Sequence, residues 1–260
     1  KLVAGRHSPY VQTPRKPLPL QTGLECCSQF IIKIASGTTA PNVLGGTLTT
    51  AATMSLQQTI ASANPWLATA RKRFQTSTTA GNQTGMRTAY TQWFRGNAAG
   101  FGGFYFRAKF GHQLNLNGGQ MFMGLCASTA VLSATAGSVA ALLNMCGMGY
   151  DTTDANTGNW FFYRNDGSGT ATKVDLGGTN ALRSNVSHGY ELTMYLAPNG
   201  SDLFVTIVNL HNGAVVLDTS YNTDLPAVNT GLAFKAETNN GAVASAQNIE
   251  IANVYIESEY

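Results

Sequence analysis

The densest run of side chains able to hold a ligand is Trp160-Phe161-Phe162-Tyr163, which leads into Arg164-Asn165-Asp166. An exposed ring beside Asn and Asp can stack on the face of a sugar while the amide and carboxylate meet its hydroxyls. Period-two alternation puts Phe161 and Tyr163 on one face of a strand and Trp160 and Phe162 on the other. Which pair faces out stays open. Trp160, Tyr163, Asn165 and Asp166 are therefore candidate receptor- or carbohydrate-binding residues, with Trp93 as a second aromatic candidate. The competing reading, core packing for the rings and a plain turn at Asn165-Asp166-Gly167, carries the greater weight.

For a metal, Asp151, Asp154 and Asn156 offer oxygen ligands within one loop and form a candidate calcium site. The loop lacks EF-hand spacing, and Asp and Asn also favour turns through local hydrogen bonds. Catalysis finds less. No G-x-S-x-G elbow occurs. The four histidines, His7, His112, His188 and His211, are scattered, and turn histidines are usually solvated. The chain has 13 Asp and Glu, and several fall in turns or near the C-terminal end rather than as a pair facing a cleft. No cofactor is implied, and the chemistry points to binding rather than turnover.

Charged residues make up 11% of the chain, against roughly 25% in an average soluble domain. Thr, Ser, Asn, Gln and Gly supply the polarity instead, which suits extracellular or virion proteins that pack against copies of themselves. The formal net charge of +3 is weak support for nucleic acid, whose binders concentrate Lys and Arg on one face. The one tight basic cluster, Arg71-Lys72-Arg73, reads as a solvated turn or an inter-subunit contact. No apolar run approaches the ~18 residues that would span a membrane, and Lys1 to Leu20 has no apolar stretch of a signal peptide. Cys26, Cys27, Cys126 and Cys146 form no C-x-x-C. Adjacent Cys26 and Cys27 do not easily bridge. Cys126 and Cys146 lie in apolar strand-like runs and read as buried free thiols, which fits assembly in a reducing cytoplasm.

The elements that must position these residues are strands. Residues 1–23 hold four of the eight prolines, Pro9, Pro14, Pro17 and Pro19, and read as an extended arm. Residues 24–73 read as a small β-rich or linking module. A strand begins at Gln29, Thr53 to Ala63 has weak helical character, and Asn64-Pro65 caps a short helix reaching about Phe74. Residues 74–260 read as an antiparallel β-sandwich or jelly roll of lectin-like form. Phe104, Phe106, Ala108 and Phe110 share one face, against Tyr105, Arg107 and Lys109. Tyr190, Leu192, Met194 and Leu196 repeat the pattern against Glu191, Thr193 and Tyr195. Turns at Pro198-Asn199-Gly200 and His211-Asn212-Gly213 make a three-strand meander. A parity shift near Ala252-Asn253 predicts a β-bulge. Ser128 to Leu143 is the other place for a short helix.

The run Phe94-Arg95-Gly96-Asn97-Ala98-Ala99-Gly100-Phe101-Gly102-Gly103-Phe104-Tyr105-Phe106 is followed by Met121-Phe122-Met123-Gly124-Leu125 and Gly147-Met148-Gly149-Tyr150-Asp151. Residues 165–177, NDGSGTATKVDLG, and the closing Val254-Tyr255-Ile256-Glu257 complete the series. Over about residues 74–260 it resembles the C-terminal region of a group of bacteriophage tail fibre and tail proteins. The resemblance implies a virion location, assembly in the host cytoplasm, and a lectin-like sandwich without a catalytic motif. Its expected partners are copies of itself, most simply as a homotrimer, other tail proteins, and a host-surface glycan or protein. An adhesin of this kind acts by multivalency: several weak sites on one appendage raise avidity by roughly 10²–10⁴; the alternatives are a carbohydrate-binding module of a secreted bacterial enzyme and a purely structural virion protein.

Overall fold

Alternating apolar and polar residues become fifteen strands and one helical turn among the described residues, which are 27–32, 46–49, 53–114, 118–155 and 158–259 of a computed structural model. In chain order the first elements are β1 (Cys27–Ile32), β2 (Gly46–Thr49), β3 (Thr53–Gln57), α1 (Pro65–Ala68), β4 (Arg71–Gln75) and β5 (Gln83–Thr88). Then come β6 (Gly102–Gly111), β7 (Gln120–Cys126), β8 (Met145–Tyr150), β9 (Phe161–Asn165) and β10 (Thr172–Asp175). The last are β11 (Gly189–Leu196), β12 (Leu203–Asn209), β13 (Val215–Tyr221), β14 (Ala233–Asn239) and β15 (Asn248–Glu259).

The strands form two antiparallel sheets. One has eight strands in the order β13-β12-β11-β6-β15-β4-β3, with β1 also paired to β15. The other has seven, in the order β10-β9-β8-β7-β14-β5-β2. The chain is therefore an all-β, lectin-like sandwich. The interval 24–73 contributes β1, β3 and β4 to the first sheet and β2 to the second. The proline-rich arm, Cys26 and Asn156 lie outside the described residues.

The core between the sheets follows from the alternation. Phe104, Phe106, Ala108 and Phe110 are at most 2% exposed, and Tyr190, Leu192, Met194 and Leu196 at most 1%. The meander β11-β12-β13 forms with Leu196 opposite Leu203. Asn199 takes a left-handed φ of 54° in its first turn and Gly213 one of 73° in the second, a conformation Asn and Gly tolerate. The bulge in β15 falls between Ile251 and Asn253. It switches the inward set from Ile249 and Ile251 to Val254 and Ile256. Cys126 and Cys146 are buried free thiols.

Four expectations are corrected. The weak helical pattern from Thr53 is strand β3. The helix capped by Asn64, whose side chain accepts from the Trp66 N–H, stops at Ala68, and the basic cluster continues as strand β4 with Arg71 and Lys72 only 1% and 2% exposed. Arg71 is held there because its Nε donates to Glu250 (2.7 Å) and its Nη1 donates to the carbonyls of Trp66, Leu67 and Thr69. The interval Ser128 to Leu143 forms turns rather than a helix. It lies over the outer face of the seven-stranded sheet, where Leu132 and Val139 pack with Phe122, Met145, Phe161 and Tyr163. Buried polar groups fasten it: Glu237 accepts from the Leu132 N–H, and Lys235 donates to the Ala130 carbonyl.

One end of the core is an aromatic cluster built on Trp160. His112 stacks on it at 5.1 Å, and Tyr150, Tyr190 and Phe110 present edges at 5.0, 5.4 and 5.8 Å. His112 Nε2 lies 2.7 Å from the Arg183 carbonyl oxygen, so the protonated Nε2 donates. Burial, aided by the Arg183 charge, pushes the His112 pKa from 6.5 down to about 4. Below pH 6.5 the unfolded chain takes up a proton that the folded chain refuses. This stability is present in full above pH 6.5 and lost as pH falls toward 4, at most about 3 kcal/mol. Urea unfolding at pH 7 and pH 4.5 should show a steeper loss for the natural chain than for His112→Gln. Parallel slopes would contradict the assignment.

Candidate ligand-binding groove

The outer face of the eight-stranded sheet is left open between two walls. Period two sends Tyr105, Arg107 and Lys109 of β6 outward, with Glu191, Thr193 and Tyr195 of β11 beside them. The register sets Tyr105 opposite Tyr195, Arg107 opposite Thr193, and Lys109 opposite Glu191. Across β12 the rows continue as Phe204, Thr206 and Val208. Tyr195 and Phe204 lie parallel at 6.3 Å, and Tyr105 meets Tyr255 of β15 edge-on at 6.0 Å. Cross-strand neighbours of this kind form one continuous surface: an aromatic row, a hydroxyl row and a charged row.

The walls are rigid for reasons in the sequence. On one side stand Ala63 and Pro65, at the start of α1. Trp66 of that turn lies flat on Gly111 and Gly189, where an added Cβ at Gly189 would sit 2.1 Å from the indole. Arg71 then ties the turn to the sheet, its guanidinium 5.0 Å from the Trp66 ring. On the other side is the Asn209–Gly213 hairpin. Asn209 Oδ1 accepts from the His211 N–H at 2.9 Å, and Asn209 Nδ2 donates to His188 Nδ1 at 2.9 Å. His188 and His211 stack at 4.4 Å. Burial and the neighbouring His211 hold the His188 pKa below its ordinary value, consistent with an unprotonated Nδ1. The groove between these walls measures about 630 Å³, with Tyr105, Arg107, Lys109, Glu191, Thr193 and Thr206 on its floor, within the ~300–1,000 Å³ range of ligand sites; Tyr195 and Phe204 continue the same sheet face just beyond it. A smaller recess of about 230 Å³ between Val131 and Leu142 is lined by neither ring nor charge.

In the groove, Arg107 Nη2 and Lys109 Nζ both approach Glu191 Oε2, at 2.8 and 3.4 Å. Burial raises the Tyr105 pKa, so its hydroxyl is neutral at ordinary pH. Rings, hydroxyls and charges on a shaped, rigid floor can hold a ligand.

The residues singled out from sequence lie elsewhere. Trp160 is 1% exposed, and Tyr163 and Trp93 are fully buried, so none can stack on a sugar at the surface. Trp160 precedes β9 and points into the core. Tyr163 points to the opposite side, beneath the 127–144 loop, where its hydroxyl donates to Asp154 Oδ2 at 2.6 Å. Asn165 is buried and shapes its turn, accepting from the Gly167 N–H and donating to the Ser168 carbonyl. Asp166 is exposed but closes the same turn, accepting from the Ser168 N–H and hydroxyl, and these bonds lower its pKa.

The proposed calcium ligands are also occupied. Asp151 Oδ1 accepts from the Gly137 N–H and Oδ2 from the Val139 and Ala140 N–H groups. Asp154 Oδ2 accepts from the Asp151 N–H as well as from Tyr163, while Oδ1 meets Lys173 at 2.7 Å. The two carboxylates anchor the covering loop and are neutralised by donors, not poised for a cation. No group of three or more potential metal-ligating side chains occurs among the described residues. The melting temperature should therefore be unchanged by millimolar calcium or by chelator. A calcium-dependent rise of several degrees would restore the metal site.

No family model matches the chain, and no curated protein sequence matches it. Solved structures do share the fold. A protein of unknown function from Shewanella oneidensis MR-1 superposes with a TM-score of 0.51 at 13% identity, covering 90% of this chain and 86% of its own. A lectin from Ulex europaeus complexed with galactose gives 0.54 at 10% identity, covering 91% and 99%. Arcelin-5, a lectin-like defence protein from Phaseolus vulgaris, gives 0.52 at 6% identity, covering 90% and 99%. At these identities the likeness is one of fold.

Proposed function

We propose that the chain is a non-catalytic, glycan-binding sandwich of a bacteriophage tail appendage, and that it attaches the appendage to the host surface through the groove on β6, β11 and β12. The observation that carries this reading is the open sheet face itself. Tyr105, Tyr195 and Phe204 stand in register on three neighbouring strands beside Thr193 and Thr206. Flat rings next to hydroxyls match a sugar, which has an apolar face and a polar edge. The galactose-bound lectin of the same fold agrees with a glycan ligand, and the resemblance of residues 74–260 to tail proteins supports the virion setting. Buried free thiols at Cys126 and Cys146 accord with assembly in a reducing host cytoplasm. The partners are copies of the chain, arranged as a trimer, and other tail proteins. An open groove gives modest affinity for one sugar, and copies on one appendage multiply it.

Titration of the oligomer with a glycan panel tests the site. Tyr195→Ala should weaken binding about tenfold, equivalent to about 1.4 kcal/mol, with no release of reducing ends by either protein. Tyr195 is partly buried and stacked on Phe204, so stability should fall by about 1–2 kcal/mol, and binding is compared where both proteins are folded. Unchanged binding by Tyr195→Ala would move the site off this face.

A further inference from the structure

The charged side chains of the groove are more than a cross-strand ion pair needs. Arg107 and Lys109 converge on one carboxylate oxygen of Glu191, so the three formal charges sum to +1. The cations are not sunk into the protein: the Arg107 side chain is 44% exposed and that of Lys109 35%, against 19% for Glu191. Other arginines are engaged differently. Arg71 and Arg73 close on Glu250, Arg87 on Glu237, and Arg95 on the Gly200 carbonyl. Arg107 presents a planar fork of donors to the groove, a geometry that meets a carboxylate on two parallel hydrogen bonds. Thr193 and Thr206 stand in the same row as Arg107; Thr206 donates its hydroxyl to Asp218 Oδ1 at 3.2 Å, which leaves its oxygen as an acceptor for a sugar hydroxyl. Tyr105 and Tyr195 stand one row away.

We propose that the groove selects acidic glycans, those whose sugars carry a carboxylate, with Arg107 and Lys109 receiving that carboxylate while Glu191 holds the two cations in place until it arrives. This rests on the reading of the groove as a glycan site and adds the class of sugar. Glu191 has two opposed effects. It orders the cations, and it repels the incoming anion. A pair whose cations are this exposed is worth little to stability, so neutralising Glu191 leaves the fold intact and frees both cations for the ligand.

The experiment is calorimetric titration of the full chain with polygalacturonate, hyaluronate and polysialic acid as acidic polymers, and with dextran and mannan as neutral ones. Arg107→Gln, Glu191→Gln and Tyr195→Ala are measured alongside. The expected result is binding of at least one acidic polymer in preference to both neutral ones, weakened as salt rises and screens the charges. Arg107→Gln should lose at least about tenfold on that polymer. Glu191→Gln should gain several-fold on it. If a neutral polymer binds as well as the acidic ones, and Arg107→Gln and Glu191→Gln leave both unchanged while Tyr195→Ala weakens both, acidic selection is overturned and the glycan groove stands. If no polymer binds, or Tyr195→Ala changes nothing, the groove reading falls and this inference with it.

Discussion

Trp160→Ala should lower the melting temperature by about 10 °C and leave glycan binding at the groove intact at temperatures where the variant is folded. Trp160 is the hub of the aromatic cluster, touched by Phe110, His112, Tyr150 and Tyr190, and it is 1% exposed. Truncating a buried Trp to Ala removes its transfer free energy and leaves a cavity, together about 3–5 kcal/mol. In a domain of this size each kcal/mol shifts the melting temperature by roughly 2–4 °C. The rings around the site belong to two facing sheets, which cannot close fully on the void, so the upper part of the energy range applies. Differential scanning calorimetry measures it. A Trp160→Ala protein that melts within a degree or two of the natural chain, yet no longer binds glycan, would return Trp160 to the surface role its sequence neighbours suggest.

Glu250→Ala should cost a comparable amount, about 3–5 kcal/mol, because it leaves a buried guanidinium without its counter-charge. Glu250 is fully buried; it meets Arg71 at 2.7 Å and Arg73 at 2.6 Å. Arg71 has little water to turn to, and its remaining partners are the carbonyls at the end of α1. The consequence reaches the groove, since Arg71 ties α1 to the sheet and Pro65 of that turn forms a wall. Glycan affinity should fall together with stability. The control is Glu191→Gln, which neutralises a partly exposed carboxylate in an ion pair of similar length and should change unfolding by no more than about 1 kcal/mol. Urea unfolding of the two variants separates the cases. Equal, small losses would mean that the Glu250 network is solvated rather than buried.

Much of the fold was legible because period two is a strong signal where one face is buried and the other wet. The inward sets of β6 and β11, both Asn-Gly turns, the bulge in β15 and the Asn64-Pro65 helix start all followed from local residue chemistry. The same alternation named Tyr105, Arg107, Lys109, Glu191, Thr193 and Tyr195 as outward-facing, yet it gave no reason to treat them as a site. That reason is the β6–β11 register, a pairing across more than eighty residues that brings Lys109 to Glu191 and Tyr105 to Tyr195. Local pattern does not encode long-range pairing.

The misplaced candidates fail for a related reason. Trp160 to Tyr163 is an almost continuous aromatic run because both faces of β9 are covered: Phe162 packs in the inter-sheet core, and Phe161 and Tyr163 lie under the 127–144 loop. A strand buried on both sides loses its alternation, and the sequence alone does not say that a loop will cover it. Likewise Asp151 looks like a cation ligand until the N–H groups of Gly137, Val139 and Ala140 occupy it, and Asp154 until Tyr163 and Lys173 do. Arg71 and Arg73 look like solvated charge until Glu250 is placed beside them by β15.

Under the proposed tail-appendage role, adsorption of the purified protein to susceptible cells, compared with a Tyr105→Ala, Tyr195→Ala double variant of matched stability and oligomeric state, tests the central claim most directly. The natural oligomer should coat the cells and block adsorption of the phage, and the double variant should do neither. If the double variant binds cells and blocks adsorption as well as the natural protein, the open face of the eight-stranded sheet is not the attachment site.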